Sequence, residues 1–375
     1  MGYAYTPGLT VAADTVVRKV RRLPLKGEVL VRVGQRVQAQ DVVAHTQMPG
    51  EVKPINVVGK LGITPEELPE LMLKKEREAV RAGEPFVRTR GFFGLFKSEL
   101  ASPIDGTIES VSHVTGQVIV RGAPTLLQKK AYVAGTVVAV QDGESATIEV
   151  HGSFIQGIFG IGGEATGVLD LAVSAPDEVL DADRVRPEHA GKVIVGGSLA
   201  TAEAVKAAVK HGVRGIVTGG LNDADLRDFL GYELGVAITG EETLGVTVVV
   251  TEGFGRISMA RATFELLSQR RGLLASVNGA TQIRAGVIRP EVIIPLEQPT
   301  AAPAGGDGEM DSVLQIGTPL RAIRDPYFGR IGRCTALPVQ LVELPSGAKV
   351  RVLEVEFEDG ARATLPRANV ELIKR

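Results

Sequence analysis

Apolar residues recur at strand spacing through the first third of the chain. Val29, Val31 and Val33 mark one face, Gly34 turns the chain, and Val37 with the Val42-Val43 pair resumes the β pattern. Residues 76–90 repeat this: Val-Arg-Ala-Gly-Glu-Pro-Phe-Val echoes Val-Gln-Ala-Gln-Asp-Val-Val with one slip. Ser102-Pro103-Ile104-Asp105-Gly106 then leads into an alternating Thr-Ile-Glu-Ser-Val strand. A second turn at Thr115-Gly116 predicts a hairpin, and Asp142-Gly143 predicts another within residues 135–150. Between the repeats, Thr64-Pro65-Glu66-Glu67 has the cap, proline and early acids of a helix start. Leu68, Leu71 and Met72 give that helix, over about 64–79, one buried face.

The period changes after a Gly-rich connecting segment, residues 151–190. Strands are predicted at 192–195, 213–218, 235–238 and 246–251, and helices at 199–211 (with Ser198 as N-cap), 222–230 and 259–269. That alternation predicts a mainly parallel α/β sheet over residues 191–297. Ligands of such sheets sit beyond the carboxyl ends of the strands. Here those ends carry Gly196, Gly197, Ser198, Gly219, Gly220, Thr239, Gly240 and Gly253. Asn278, Gln282 and Arg284 could add amide and guanidinium donors for a small anion. The other reading of these glycines is that they make short turns. Glu252 is the one candidate general base. Gly160, Gly162 and Gly163 form either a nucleotide- or flavin-binding loop or a tight structural turn.

Gln298 onward is rich in Pro, Ala and Gly, so residues 298–310 read as a flexible linker. Residues 311–375 read as short strands, with a hairpin turn at Asp359-Gly360. Arg321, Arg324, Arg330 and Arg333 with Tyr327 and Phe328 form a candidate basic-aromatic docking surface, for RNA or for protein.

Bulk properties narrow the function. A chain of 375 residues has room for two or three domains, and its net charge of −2 gives no general pull toward nucleic acid or anionic membrane. No apolar run reaches the roughly 20 residues of a membrane helix. One cysteine, Cys334, rules out an internal disulfide, a Cys-based zinc site and a cysteine-ligated iron–sulfur cluster within the chain, and fits a reducing cytoplasm. The five histidines are scattered, with no paired spacing for a structural metal.

Two resemblances follow from these segments. The runs VRVGQRVQAQDVVA, VRAGEPFV and ASPIDGTIESV…TGQV resemble the barrel-sandwich hybrid family of biotinyl and lipoyl carriers and the N-terminal barrel of RnfC-type electron-transfer subunits. The resemblance implies such a barrel within residues 1–150. Carriers of this family hold their cofactor on a hairpin-tip lysine. Neither Lys53 nor Lys97 stands in a carrier motif, so biotin and lipoate are not expected; Lys97 is the better placed of the two. Phe92 and Phe93 occupy the tip instead, as core that closes the barrel or as a docking surface. The loop at 157–167 also resembles the flavin-holding segment of RnfC-type relatives. Residues 320–334 with the closing Asn-Val-Glu-Leu-Ile resemble a KOW module, the SH3-like barrel of NusG-type factors, which implies RNA or protein binding.

The expectation is a multidomain α/β and β protein: a non-enzymatic cytoplasmic binding or adaptor protein, with a protein partner and a small anionic ligand at the strand ends. The alternatives are an enzyme or electron-transfer accessory binding nucleotide or flavin at residues 157–167, and an RNA-associated factor acting through residues 311–375.

Overall fold

The computed structural model describes residues 9–90, 98–222, 245–281, 288–296, 314–322, 326–327, 329–338, 340–343 and 349–372. The expectations that rest on Phe92, Phe93, Lys97, the strand at 235–238, the helix at 222–230, Thr239, Gly240, Gln282, Arg284, the linker, Arg324 and Phe328 lie outside the described residues.

The fold is mostly β. The hairpin predicted from Ser102 onward forms as Gly106–Val111 against Gln117–Gly122, with Val111 opposite Val118 and Gly116 turning at φ +64°. Val52–Asn56 and Ala79–Val80 complete a four-stranded sheet, and Thr125–Lys130, Val42–Met48 and Glu28–Val29 make a three-stranded one. Ile55, Leu68, Phe86, Ile108 and Val118 share one apolar cluster, so Phe86 is core and Met72 packs against it. The helix expected over 64–79 is only one turn, Leu68–Leu71. Pro69 starts that turn, and Met72 leaves it in an extended conformation to bridge Val87.

The centre departs from the expected mainly parallel α/β sheet. A single 13-stranded mixed sheet runs from the N-terminal region through the centre. Glu164–Leu171, Val193–Val195, Gly215–Leu221 and Thr247–Phe254 are parallel neighbours. Phe159–Ile161 on one side and Leu274–Asn278, Glu291–Pro295 and Ser145–Gln156 on the other are antiparallel. The physical reason is that the antiparallel partners come from far away in the sequence, Phe159 beside Val250 and Glu164 beside Asn278, where no local period encodes them, whereas the parallel pair Val193–Val195 and Gly215–Leu221 is joined by the crossover helix Ala202–His211. The 12-residue strand Ser145–Gln156 crosses the expected boundary at residue 150 and carries both Val11–Arg22 and Glu291–Pro295. Strands such as Val-Ile-Val are apolar throughout because both faces are buried.

Helix Ala202–His211 is capped by Thr201, whose hydroxyl accepts from the Ala204 N–H, and not by Ser198. A second helix, Arg261–Gln269, has no side-chain cap at its N-terminus. The C-terminal unit is a six-stranded sheet from Pro319–Ala322 to Val370–Leu372, around Leu320, Cys334, Leu353, Val355 and Phe357. No helix among the described residues is long and apolar enough to cross a membrane.

Candidate functional site

The strand ends expected to cradle an anion are filled by protein. A Cβ at Gly197, Gly219 or Gly220 would lie 2.3, 2.3 and 1.9 Å from the carbonyl oxygens of Glu178, Ile257 and Gly255. Gly196 packs under Leu180. The buried Ser198 hydroxyl donates to the Asp177 carbonyl at 2.8 Å. Asn278 accepts from the Ala280 N–H at 2.9 Å, closing its own turn. These residues serve close packing.

The Gly160–Gly162–Gly163 segment is likewise packed against protein: Gly160 lies within the strand Phe159–Ile161, and Gly162 follows it at φ +79°. The Gly160 N–H donates to Thr281 Oγ1 at 2.8 Å, and the Gly163 carbonyl accepts from Thr247 Oγ1 at 2.9 Å. Phe159 and Ile161 on either side of Gly160 are 1% exposed. The Gly160 N–H that would approach a nucleotide phosphate is already committed to Thr281.

A different site forms where Thr247–Phe254 ends. There the C-terminal unit meets the sheet through a chain of alternating charges. Arg321 Nη1 donates to Glu371 Oε1 at 2.8 Å, Arg321 Nη2 lies 3.2 Å from Glu252 Oε2, and Arg289 Nη1 lies 2.9 Å from Glu371 Oε2. All four side chains are at most 13% exposed. Arg321 is therefore a buried clamp and not part of a docking surface. Glu252 is not a free base: its second oxygen accepts from the Ala260 N–H at 3.0 Å. Gly253 lets the two parts approach, since a Cβ there would lie 2.4 Å from the Gly329 carbonyl oxygen.

Beside this clamp lies a cavity of about 850 Å³. One wall is the loop and first helical turn from Ile257 to Ala262; the other is the outer face of the C-terminal sheet, with Pro319, Ile331, Arg333, Thr335 and Glu358. The size suits a small organic ligand. The start of Arg261–Gln269 has no side-chain cap from Ala260, and the Glu252 carboxylate already accepts from the Ala260 N–H there. Arg261 and Arg333 are exposed in the cavity walls. Of the lining carboxylates, Glu252 is neutralised by Arg321 and Glu356 by Arg362 at 2.7 Å, leaving Glu358 against two guanidiniums.

The rest of the expected basic-aromatic surface is partly self-satisfied. The Arg330 guanidinium stacks 4.1 Å from the Phe357 ring centre and pairs with Asp359, while Tyr327 stacks on Phe357 at 5.2 Å. Arg333 alone among the described residues of that group opens into the cavity. Cys334 is buried core, and burial pushes its thiol up from the usual range. No cluster of three metal-ligating side chains occurs among the described residues.

Sequence reasoning did not find Arg261, Glu358 or the role of Glu371. One signal was present. Arg321 and Glu371 each interrupt a short apolar strand, and a charge in such a strand is buried only when paired. No protein-family model matches the chain and comparison with curated proteins returns no match, so what the cleft binds is argued from its own chemistry.

Proposed function

We propose that this chain is a non-enzymatic cytoplasmic binding or adaptor protein that takes a small anionic ligand, in the cleft between the central sheet and the C-terminal unit. The observation that carries this reading is the cavity with Arg261 on one wall and Arg333 on the other. Ile257, Ala262, Pro319 and Ile331 supply apolar wall for the body of the ligand. Glu252 and Glu356 are held in ion pairs, which suits binding better than proton transfer. The paired small sheets of the N-terminal region support the proposed kinship with barrel-sandwich hybrid proteins, and the six-stranded C-terminal sheet supports kinship with KOW modules.

Calorimetric titration of the full chain with inorganic phosphate, phenyl phosphate and benzoate tests the reading. Saturable binding that weakens about tenfold or more in Arg333→Gln is expected. No binding of any of the three at low salt overturns it.

A further inference from the structure

The cleft joins two bodies that share no buried apolar cluster among the described residues. The central cluster, from Ile155 to Ile294, contains no residue of the C-terminal unit, and the C-terminal cluster, from Leu320 to Leu372, contains none of the sheet. Among the described residues they meet through the Arg289–Glu371–Arg321–Glu252 chain, the backbone approach of Gly253 to Gly329 and the Phe254 ring beside Gly329. Such an interface is finely balanced. Opening it loses two ion pairs, Arg289–Glu371 and Arg321–Glu252, but returns buried charges to water, and these effects are of similar size. The Arg321–Glu371 pair lies on neighbouring strands of one sheet, with the two residues in register, so it survives opening.

The two guanidiniums of the cleft come one from each body, Arg261 from the central part and Arg333 from the C-terminal unit. Empty, the cleft holds two guanidiniums, one on each wall, against the Glu358 carboxylate of the C-terminal wall, so its lining keeps an excess of positive charge. An anion between the walls balances that excess and attracts both. We propose that the bound anion is the closing element: it bridges Arg261 and Arg333 and holds the C-terminal unit docked on the sheet, so that ligand occupancy sets whether the two bodies act as one. This inference rests on the cleft being the ligand site. A ligand that touches both walls binds only the docked form and shifts the equilibrium by its differential affinity.

Hydrogen exchange on the full chain tests the bridge, with and without phenyl phosphate at matched ionic strength. The strands Ile331–Ala336 and Thr247–Phe254 report on the two sides. Ligand is expected to slow exchange at the facing ends of both strands together by about a hundredfold at a hundredfold excess over Kd. Arg261→Gln and Arg333→Gln, both exposed and outside the core, are each expected to cut that slowing about tenfold at the same ligand concentration while leaving exchange elsewhere unchanged. Gly253→Val, which pushes a side chain against the Gly329 carbonyl, is expected to speed exchange on both sides without ligand. Calorimetric binding that leaves exchange on both sides unchanged overturns the bridge and leaves the binding reading standing. Absence of binding in calorimetry overturns both.

Discussion

Arg321 faces Glu371 across neighbouring strands at 2.8 Å, and the two side chains are 3% and 2% exposed. Each also has a partner in the central part, Glu252 for the arginine and Arg289 for the glutamate. Neither charge is buried alone, and the order of signs alternates along the whole chain of four.

Removing one member leaves its neighbours uncompensated. Glu371→Gln is expected to cost about 3–5 kcal/mol, seen in chemical denaturation as an earlier transition of the C-terminal unit. An unchanged midpoint would show that the network does not hold the interface. Replacing all four residues by apolar ones of similar volume is expected to cost much less than the single change, because no orphaned charge remains.

Gly160 separates a packed strand from a ligand loop. A Cβ there would lie 2.7 Å from the Gly279 carbonyl oxygen and 2.8 Å from that of Val248, both of them backbone. Gly160→Ala is expected to lower stability by about 1–3 kcal/mol through overpacking. Full stability in a thermal melt would restore the open loop that the sequence suggested.

Acid is expected to act on the edge of the parallel strands in two stages. Burial disfavours the His189 imidazolium and draws its pKa below the ordinary 6.5, against the opposing pull of the Asp170 charge. Burial raises Asp170, but hydrogen bonds from Lys192 and the Leu171 N–H, with the charges of Lys192 and Arg271, outweigh it and hold the carboxyl below its ordinary 3.8. Both groups have depressed values in the fold. Their stabilisation is present above the ordinary value and is lost as pH falls through the folded one. Stability should therefore decline first below about 6.5 and again below about 4. His189→Gln should remove the first stage in a pH series of denaturant midpoints, and Asp170→Asn the second.

Tyr132 gives the opposite sign. It is 2% exposed, in the left-handed region at φ +71°, with the Arg21 guanidinium 5.4 Å from its ring centre. Burial, reinforced by the nearby Glu291 and Glu164 charges, raises its pKa well above 10.0. Its stabilisation is present below about 10 and is lost as pH rises toward the folded value. Spectrophotometric titration should show one tyrosine ionising late, only as the protein unfolds, and that component should vanish in Tyr132→Phe. A late component that persists in the variant would overturn the assignment.

The fold was legible where signals were local. The Ser102 turn, the Gly106–Val111 hairpin, helix Ala202–His211 and the Asp359-Gly360 turn all formed near their expected positions. The expected helix over 64–79 shrank to Leu68–Leu71 because a local start signal does not measure how far a helix runs. The candidate site was half legible. Glu252, Gly253, Arg321 and Arg333 were picked out and do gather at one place, but in different roles, while Arg261, Glu358 and Glu371 were missed.

By itself the sequence determined the local turns and hairpins, such as Gly106–Val111 against Gln117–Gly122, because side-chain alternation and glycine placement act over a few residues. It also bounded the chemistry, because one cysteine and scattered histidines limit what a chain can ligate. Only the tertiary structure decided that the glycine-rich strand ends are packed shut, that Arg321 is buried and that the cleft lies beside the C-terminal unit. Strand order, burial and charge pairing depend on residues as far apart as Glu252 and Arg321, and no local pattern encodes which distant partner will neutralise a charge.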